Sequence, residues 1–299
     1  MDTLCGLFGK SRQAYYQRSK HVHGEALKED ILLQMVQSQR RQMPRLGGRK
    51  LLHLIQPLLV GEMSLGRDSF FDFLRKHNLL VGKRRLRART TWSNHWLHKY
   101  PNLIVGYEPE KAHRLWVSDI TYIPTEEGFC FLSLITDGYS RKIIGWASGN
   151  SLEASHSVKA LKMALGQLPK GIRDVFHHSD RGVQYCCGEY VKILRKNHFQ
   201  ISMTENSDPR ENAMAERVNG ILKGEWLNQM SFKTIKQAES EISKIIRIYN
   251  QQRPHSSLEM KTPCFVHQSS CQVKRIWKNY YKKKEIDSFA EPNKVMVTL

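Results

Sequence analysis

Three apolar runs in quick succession, LWVSDITYI (115–123), FCFLSLIT (129–136) and KIIGWAS (142–148), constrain this chain more than any other feature. They are rich in β-branched and aromatic residues, and Asp137-Gly138 marks the turn after the second, so they read as three consecutive strands. The pattern then alternates. A helix from about Ser151 carries Val158, Leu161, Leu165 and Leu168 on one face and stops at Pro169 and Gly171. DVFHHS is a short strand, EYVKILRKN a helix, FQISM another strand, and a helix starts near Ala213. A longer helix follows with Ile235, Ala238, Ile242, Ile245 and Tyr249 on its apolar face. The order βββαβαβα plus one helix predicts an α/β domain built on a mixed sheet, assigned to residues 107–270.

What precedes it is helical. Residues 1–20 read as a partial helical element: Gly9 stands at a turn, Ser11 where an N-cap belongs, and the element looks like the tail of a longer one. Residues 21–81 read as three short helices. The first has Leu27, Ile31, Leu32, Met35 and Val36, the others are GGRKLLHLIQPLL and RDSFFDFLRKHNLLV, and Pro44, Gly47, Gly61 and Gly66 separate them. That is the size of a small all-α, helix-turn-helix-like DNA-binding unit, and equally of a helical bundle without DNA contact.

Residues 82–106 read as a basic linker. Its KRRLRAR segment, with Lys83, Arg84, Arg85 and Arg87, suits phosphate contact as well as a solvated connection. The C-terminal stretch 271–299 alternates basic and aromatic residues in KRIWKNYYKKKE, which fits nucleic acid or a mobile end.

Charge narrows the partners. A formal +19 over 299 residues attracts polyanions, nucleic acid ahead of an anionic membrane surface. No apolar run reaches the about 18 residues of a membrane span and no signal peptide is visible, so a cytoplasmic, nucleoid-associated protein is expected. Six cysteines include no C-x-x-C pair, which argues against zinc and a disulfide framework.

Against that background three carboxylates stand out: Asp119 inside the first strand, Asp180 at the tip of the fourth, and Glu216 near the start of a helix. Ionised groups rarely sit beside a core unpaired. Carboxylates that converge need a cation, and hard oxygen donors select Mg²⁺ or Mn²⁺. Two such ions can activate a nucleophilic oxygen and stabilise a leaving one in phosphodiester chemistry. Lys223 lies seven residues after Glu216, so both share a helix face, an acid for metal above a base for phosphate.

The motifs WVSDITYI, ITDGYSRKIIGW, HSDRGVQY, ENAMAERVNGILK and YNQQRPHSSLEMKTP, in this order, resemble the downstream-frame transposases (OrfB) of the IS-three insertion-sequence family, relatives of the retroviral integrases. The resemblance implies an RNase H-like catalytic core with a DDE triad, here Asp119, Asp180 and Glu216. The 35 residues between the last two match the family's spacing. It also implies two Mg²⁺ ions, with Mn²⁺ able to substitute, DNA ends and target DNA as substrates, and a multimer on DNA. The upstream-frame protein, or its frameshift fusion to this chain, is the further partner implied.

Several neighbours are set apart from the triad. Asp137 is in a family motif but reads as structural. NSDPRENA departs from the family's usual Gly-Asn-Cys-Tyr-Asp-Asn, and Glu205, Asp208 and Glu211 there compete with Glu216, which Lys223 and helix phase favour. His177 and His178 read as hydrogen-bonding neighbours of Asp180, with Gly182 giving the backbone freedom to turn away. Arg253 and His255 suit either DNA contact or a tight turn after the helix. The leading reading is a metal-dependent transposase; a non-catalytic DNA-binding regulator and an RNase H-like nuclease that only hydrolyses are the alternatives.

Overall fold

The computed structural model describes residues 7, 9, 11–59, 64–82, 96–205 and 209–269. Lys83, Arg84, Arg85 and Arg87, Asp208 and the tail 271–299 lie outside the described residues.

The three apolar runs form β1 (Leu115–Thr125), β2 (Gly128–Asp137) and β3 (Ile143–Gly149), an antiparallel meander with Trp116 opposite Asp137 and Leu132 opposite Ser148. Then come α4 (Ala154–Leu165), β4 (Phe176–Ser179), the short α5 (Val183–Cys186), α6 (Gly188–Lys196), β5 (Gln200–Met203), α7 (Ala213–Glu225), α8 (Ile235–Gln251) and α9 (Pro263–Gln268). Both β4 and β5 are parallel to β1, giving the strand order β3-β2-β1-β4-β5. This is the mixed sheet expected of an RNase H-like core.

The alternation along β1 sorts residues to the two faces of the sheet. Trp116 packs with Leu161, Tyr190 and Leu194 from α4 and α6. Ile123, with Leu132 and Leu134 of β2, packs against Val218 and Leu222 of α7 and Ile242 and Tyr249 of α8. Helix α4 lies so close on β3 that a Cβ at Gly145 would come within 2.2 Å of the Ala160 carbonyl oxygen, so only glycine fits there.

The helical region differs from its sequence reading in one respect. A single 31-residue helix, α1 (Arg12–Gln42), replaces the partial element and the first short helix and runs straight through residue 20. Ser11 caps it by accepting from the Ala14 amide at 3.1 Å, and Gly24 does not break it. A lone glycine costs only about 1 kcal/mol in a helix, and no proline interrupts the run before Pro44. Its core contacts come from the second half, where Leu32 and Val36 are buried, while Leu27 is exposed. Helices α2 (Gly48–Ile55) and α3 (Arg67–Lys76) follow as expected and bury Leu51, Ile55, Phe70 and Leu74.

These helices share one apolar cluster with α7 and α8, and the Trp226 indole N–H donates to the Gln42 carbonyl oxygen at 2.7 Å. The later part of the expected linker is also built into the core. Pro101 accepts from the Met203 amide at 3.2 Å, and the Leu103 amide donates to Ser202 Oγ at 2.9 Å, covering the outer edge of β5. Tyr100 and Leu97 pack on the α4/α6 side. Apolar residues scattered among polar ones, as in HWLHKYPNL, carry no periodicity that would reveal this.

Candidate active site

Parallel pairing sets the site. Leu115 stands opposite Phe176 and Val117 opposite His178, and one step past the last strand residue, Ser179, comes Asp180. The direction of that register brings Asp180 towards Asp119, and the Asp180 charge acts on the Asp119 carboxyl. Beyond Ser179 the β4 chain leaves the sheet, so the two carboxylates occupy the notch where β1 outlasts its neighbour.

Asp180 is held by its own turn, with Oδ1 accepting from the Gly182 amide at 3.0 Å. Gly182 has φ −63°, an ordinary value, so turning freedom is not its contribution. What matters is space: a Cβ there would lie 3.0 Å from that same Oδ1 and 2.9 Å from Gln184 Oε1.

The third carboxylate arrives on α7. Ala215 packs with Leu115 and Val117 and lays the first turn of α7, which carries Glu216, on β1. One turn further, Asn219 Nδ2 donates to Asp119 Oδ2 at 2.8 Å. Lys223, another turn along, reaches back to β1 and places its ammonium 4.4 Å from the centre of the Tyr122 ring. The sequence places Glu216, Asn219 and Lys223 at i, i+3 and i+7, so one face of α7 is turned towards β1 along its length.

The electrostatics follow from this packing. Burial, then the Asp180 charge, push the Asp119 carboxyl up to about 7, with a smaller push from Glu216; hydrogen bonds from Asn219 and the Ile120 amide work in the opposite direction. Like charges in a poorly hydrated notch are costly, and hard oxygen donors in that condition suit Mg²⁺ or Mn²⁺. Among the described residues no group of three or more His, Cys, Asp or Glu side chains is already disposed to hold a metal ion. The donor chemistry fits a divalent cation: Asp180 and Glu216 both act electrostatically on Asp119, Asp180 the more strongly.

The remaining candidates separate cleanly. Glu205 Oε1 accepts from the Asn102 amide at 2.9 Å, tying its loop to the segment before β1, and Glu211 Oε2 accepts from the Glu205 amide at 2.5 Å, closing the loop itself. Asp137 is fully buried at the β2–β3 turn and accepts from the His113 and Ser140 amides, each at 2.7 Å, and from Ser140 Oγ. Burial alone would raise its carboxyl, but His267 and these amides hold it below its ordinary value.

His177 shares its Nε2 with Ser118 Oγ and the Tyr190 hydroxyl, each at 2.8 Å, and burial pushes it down to about 3. Arg253, 1% exposed, makes two 2.7 Å hydrogen bonds to the Glu225 carboxylate. His255 is pushed down to about 2 by burial and the Arg253 charge, and its Nδ1 meets Ser257 Oγ at 3.0 Å. These two residues therefore form the tight turn after α8, and DNA contact by Arg253 is ruled out by its burial.

Comparison with known proteins gives the family of the chain. The integrase core domain family matches residues 109–209, and a second integrase core domain family matches 197–263. The insertion element IS600 31 kDa protein of Shigella sonnei is 33% identical over 265 residues, 87% of this chain and 96% of that protein. This chain belongs to the insertion-sequence transposases with an integrase core. The transposase InsF of insertion sequence IS3A from Escherichia coli is 30% identical over 185 residues, 61% of this chain and 64% of its own length. Among solved structures, an intasome of simian T-cell lymphotropic virus bound to a PP2A regulatory subunit aligns with TM-score 0.47 and 16% identity, covering 81% of this chain and 77% of that one.

Asn219 and Asn212 were missed in the sequence. Asn212 Nδ2 donates to the Ser118 carbonyl oxygen at 3.1 Å, immediately before Asp119. The helix phase that selects Lys223 also selects Asn219, so this one was within reach. Asn212 precedes α7 in an irregular loop with no periodic signal.

Proposed function

We propose that the chain is a DDE transposase that cleaves insertion-sequence ends and joins the freed 3′-hydroxyl to a target phosphodiester, with Asp119, Asp180 and Glu216 as catalytic and metal-holding residues. The observation that carries this reading is the buried Asp119 on β1, bonded by Asn219 and pushed up to about 7 in part by the charge of Asp180, which follows directly on β4, the strand paired with β1. When bound there, Mg²⁺ (two ions, Mn²⁺ substituting) supplies charge neutralisation and polarisation of the phosphodiester oxygens.

The chain's own part is positional. Asn219 fixes one oxygen of Asp119 and leaves the other directed by the Ile120 amide, which Oδ1 accepts at 2.9 Å. Gly182 keeps the Asp180 carboxylate unobstructed. Lys223, two turns below Glu216, adds positive charge beside the path of a phosphate backbone. DNA, with the net charge of +19 as attractant, is the partner. Assembly as a multimer on two ends, and cooperation with the upstream-frame protein or as its fusion, belong to the same proposal. No helix among the described residues is long and apolar enough to cross a membrane.

The deciding experiment incubates purified protein with labelled element-end DNA, target DNA and Mg²⁺, comparing the parent with Asp180→Asn. Joined strands from the parent and none from the variant are expected. Equal products from both sink the catalytic assignment, nicks without joining favour the hydrolytic nuclease, and binding without any nick favours the regulator.

A further inference from the structure

The loop that leads into α7 is tied to the strands of the sheet. Asn212, its N-cap position, makes no side-chain cap and has φ −120°, so the helix start takes its place from tertiary contacts. One of these is a buried relay running across three segments. The Leu103 amide donates to Ser202 Oγ at 2.9 Å, Ser202 Oγ meets His178 Nδ1 at 2.9 Å, and His178 Nε2 meets the Glu211 carbonyl oxygen at 3.0 Å. A carbonyl oxygen only accepts, so Nε2 carries the proton and Nδ1 accepts from the serine hydroxyl. His178 and Ser202 are both fully buried, so water is not available to replace either bond.

His178 lies on β4 two residues before Asp180, with Ser202 opposite it on β5. Glu211 lies five residues before Glu216. The imidazole therefore ties the strand that carries one proposed catalytic carboxylate to the loop that delivers another. Asn212 makes the matching tie to β1 through the Ser118 carbonyl oxygen, next to Asp119.

We propose that His178 is a positioning residue: its Nε2–H bond to the Glu211 carbonyl sets the start of α7, and thereby Glu216, relative to Asp180. The catalytic consequence rests on the triad reading above, whereas the structural consequence does not. The residue touches no substrate and acts only through Glu211 and α7.

Two variants separate the roles. His178→Phe keeps ring and volume and removes both polar atoms; His178→Gln returns an N–H donor near the Nε2 position. Amide hydrogen exchange, read by mass spectrometry on the full chain without metal or DNA, is the direct measurement. Exchange in residues 211–217 is expected to speed up at least about tenfold in the Phe variant relative to α8, and to return towards the parent in the Gln variant. Mg²⁺-dependent strand joining at saturating DNA is expected to fall about tenfold to a hundredfold in the Phe variant, with DNA affinity unchanged and Gln recovering most of the rate.

Unchanged exchange over 211–217, or an equal rise across α8 that Gln does not reverse, overturns the proposal. If exchange responds as expected but Asp180→Asn still joins strands, the triad reading fails and the positioning of α7 stands. If exchange responds and joining in the Phe variant is unaltered, the catalytic half of the proposal is overturned.

Discussion

Asn219 Nδ2 lies 2.8 Å from Asp119 Oδ2, joining the helix that carries Glu216 to the strand that carries Asp119. Asn219 is itself buried, and its Oδ1 has no hydrogen-bond partner within the protein. Replacing it with leucine keeps the volume and removes the donor. Partners that orient metal-holding carboxylates typically cost about 10-fold to 100-fold when removed. Asn219→Leu is expected to reduce strand joining by that order while circular dichroism stays unchanged; a joining rate equal to the parent's removes Asn219 from the site.

Repulsion between Asp119 and Asp180 makes a separate statement about the metal-free protein. Since the Asp180 charge adds to the upward shift of Asp119, neutralising it relieves the notch. Asp180→Asn is therefore expected to raise Tm without metal at pH 8. Adding Mg²⁺ should stabilise the parent by about 2.7 kcal/mol at a hundredfold excess over Kd and so raise its Tm, and the variant should gain little. Calorimetry with and without EDTA reads both signs.

The Arg253–Glu225 pair is buried and bidentate, and Arg253 also lies against the Tyr249 ring at 5.7 Å. Removing one partner leaves an uncompensated buried charge. Arg253→Met and Glu225→Met should each cost about 3–5 kcal/mol, and the double variant should recover much of it. Urea unfolding of the four proteins closes the cycle, and additive losses would mean that the pair does not act as a unit.

His113 supplies a pH test away from the carboxylates. Burial first, then the charges of His267 and Lys142, push it down to about 4, with Asp137 opposing. Below its ordinary pKa near 6.5 the unfolded chain takes up a proton that the folded one refuses, so this group's contribution to stability falls as pH drops. The window runs from about pH 6.5 to about 4, at about 1.4 kcal/mol per pH unit. His113 has φ +60°, which asparagine tolerates. His113→Asn should flatten the stability profile over that window relative to the parent; parallel profiles would exclude His113 as the cause.

Lys83, Arg84, Arg85 and Arg87 are proposed phosphate contacts from sequence alone. If all four neutralise phosphates, replacing them with alanine lowers the slope of log K against log salt by up to about 3.6, at about 0.9 per contact. Fluorescence anisotropy across a salt series measures it, and an unchanged slope returns the segment to the role of a connection.

The sequence by itself determined the order of strands and helices in the core, because apolar periods of two and near 3.6 are local properties that burial enforces. It also supplied the spacing of Asp119, Asp180 and Glu216, through the family motifs, and the phase of Lys223, since Glu216 and Lys223 lie on one helix whose geometry is fixed by residue count. The continuity of α1 through residue 20 was less legible: its first half is exposed and carries no apolar stripe. Only the tertiary structure decided that Asp180 comes near enough to Asp119 for its charge to act there, because the parallel pairing of β4 with β1 is set by packing between strands far apart in sequence. The same holds for Arg253, whose charge suggests a DNA contact until Glu225, 28 residues away, is seen to neutralise it. His178 and Asn212 depend on it most: each acts through one hydrogen bond to a backbone carbonyl of a distant segment, and no side-chain pattern in the sequence marks which carbonyl that is.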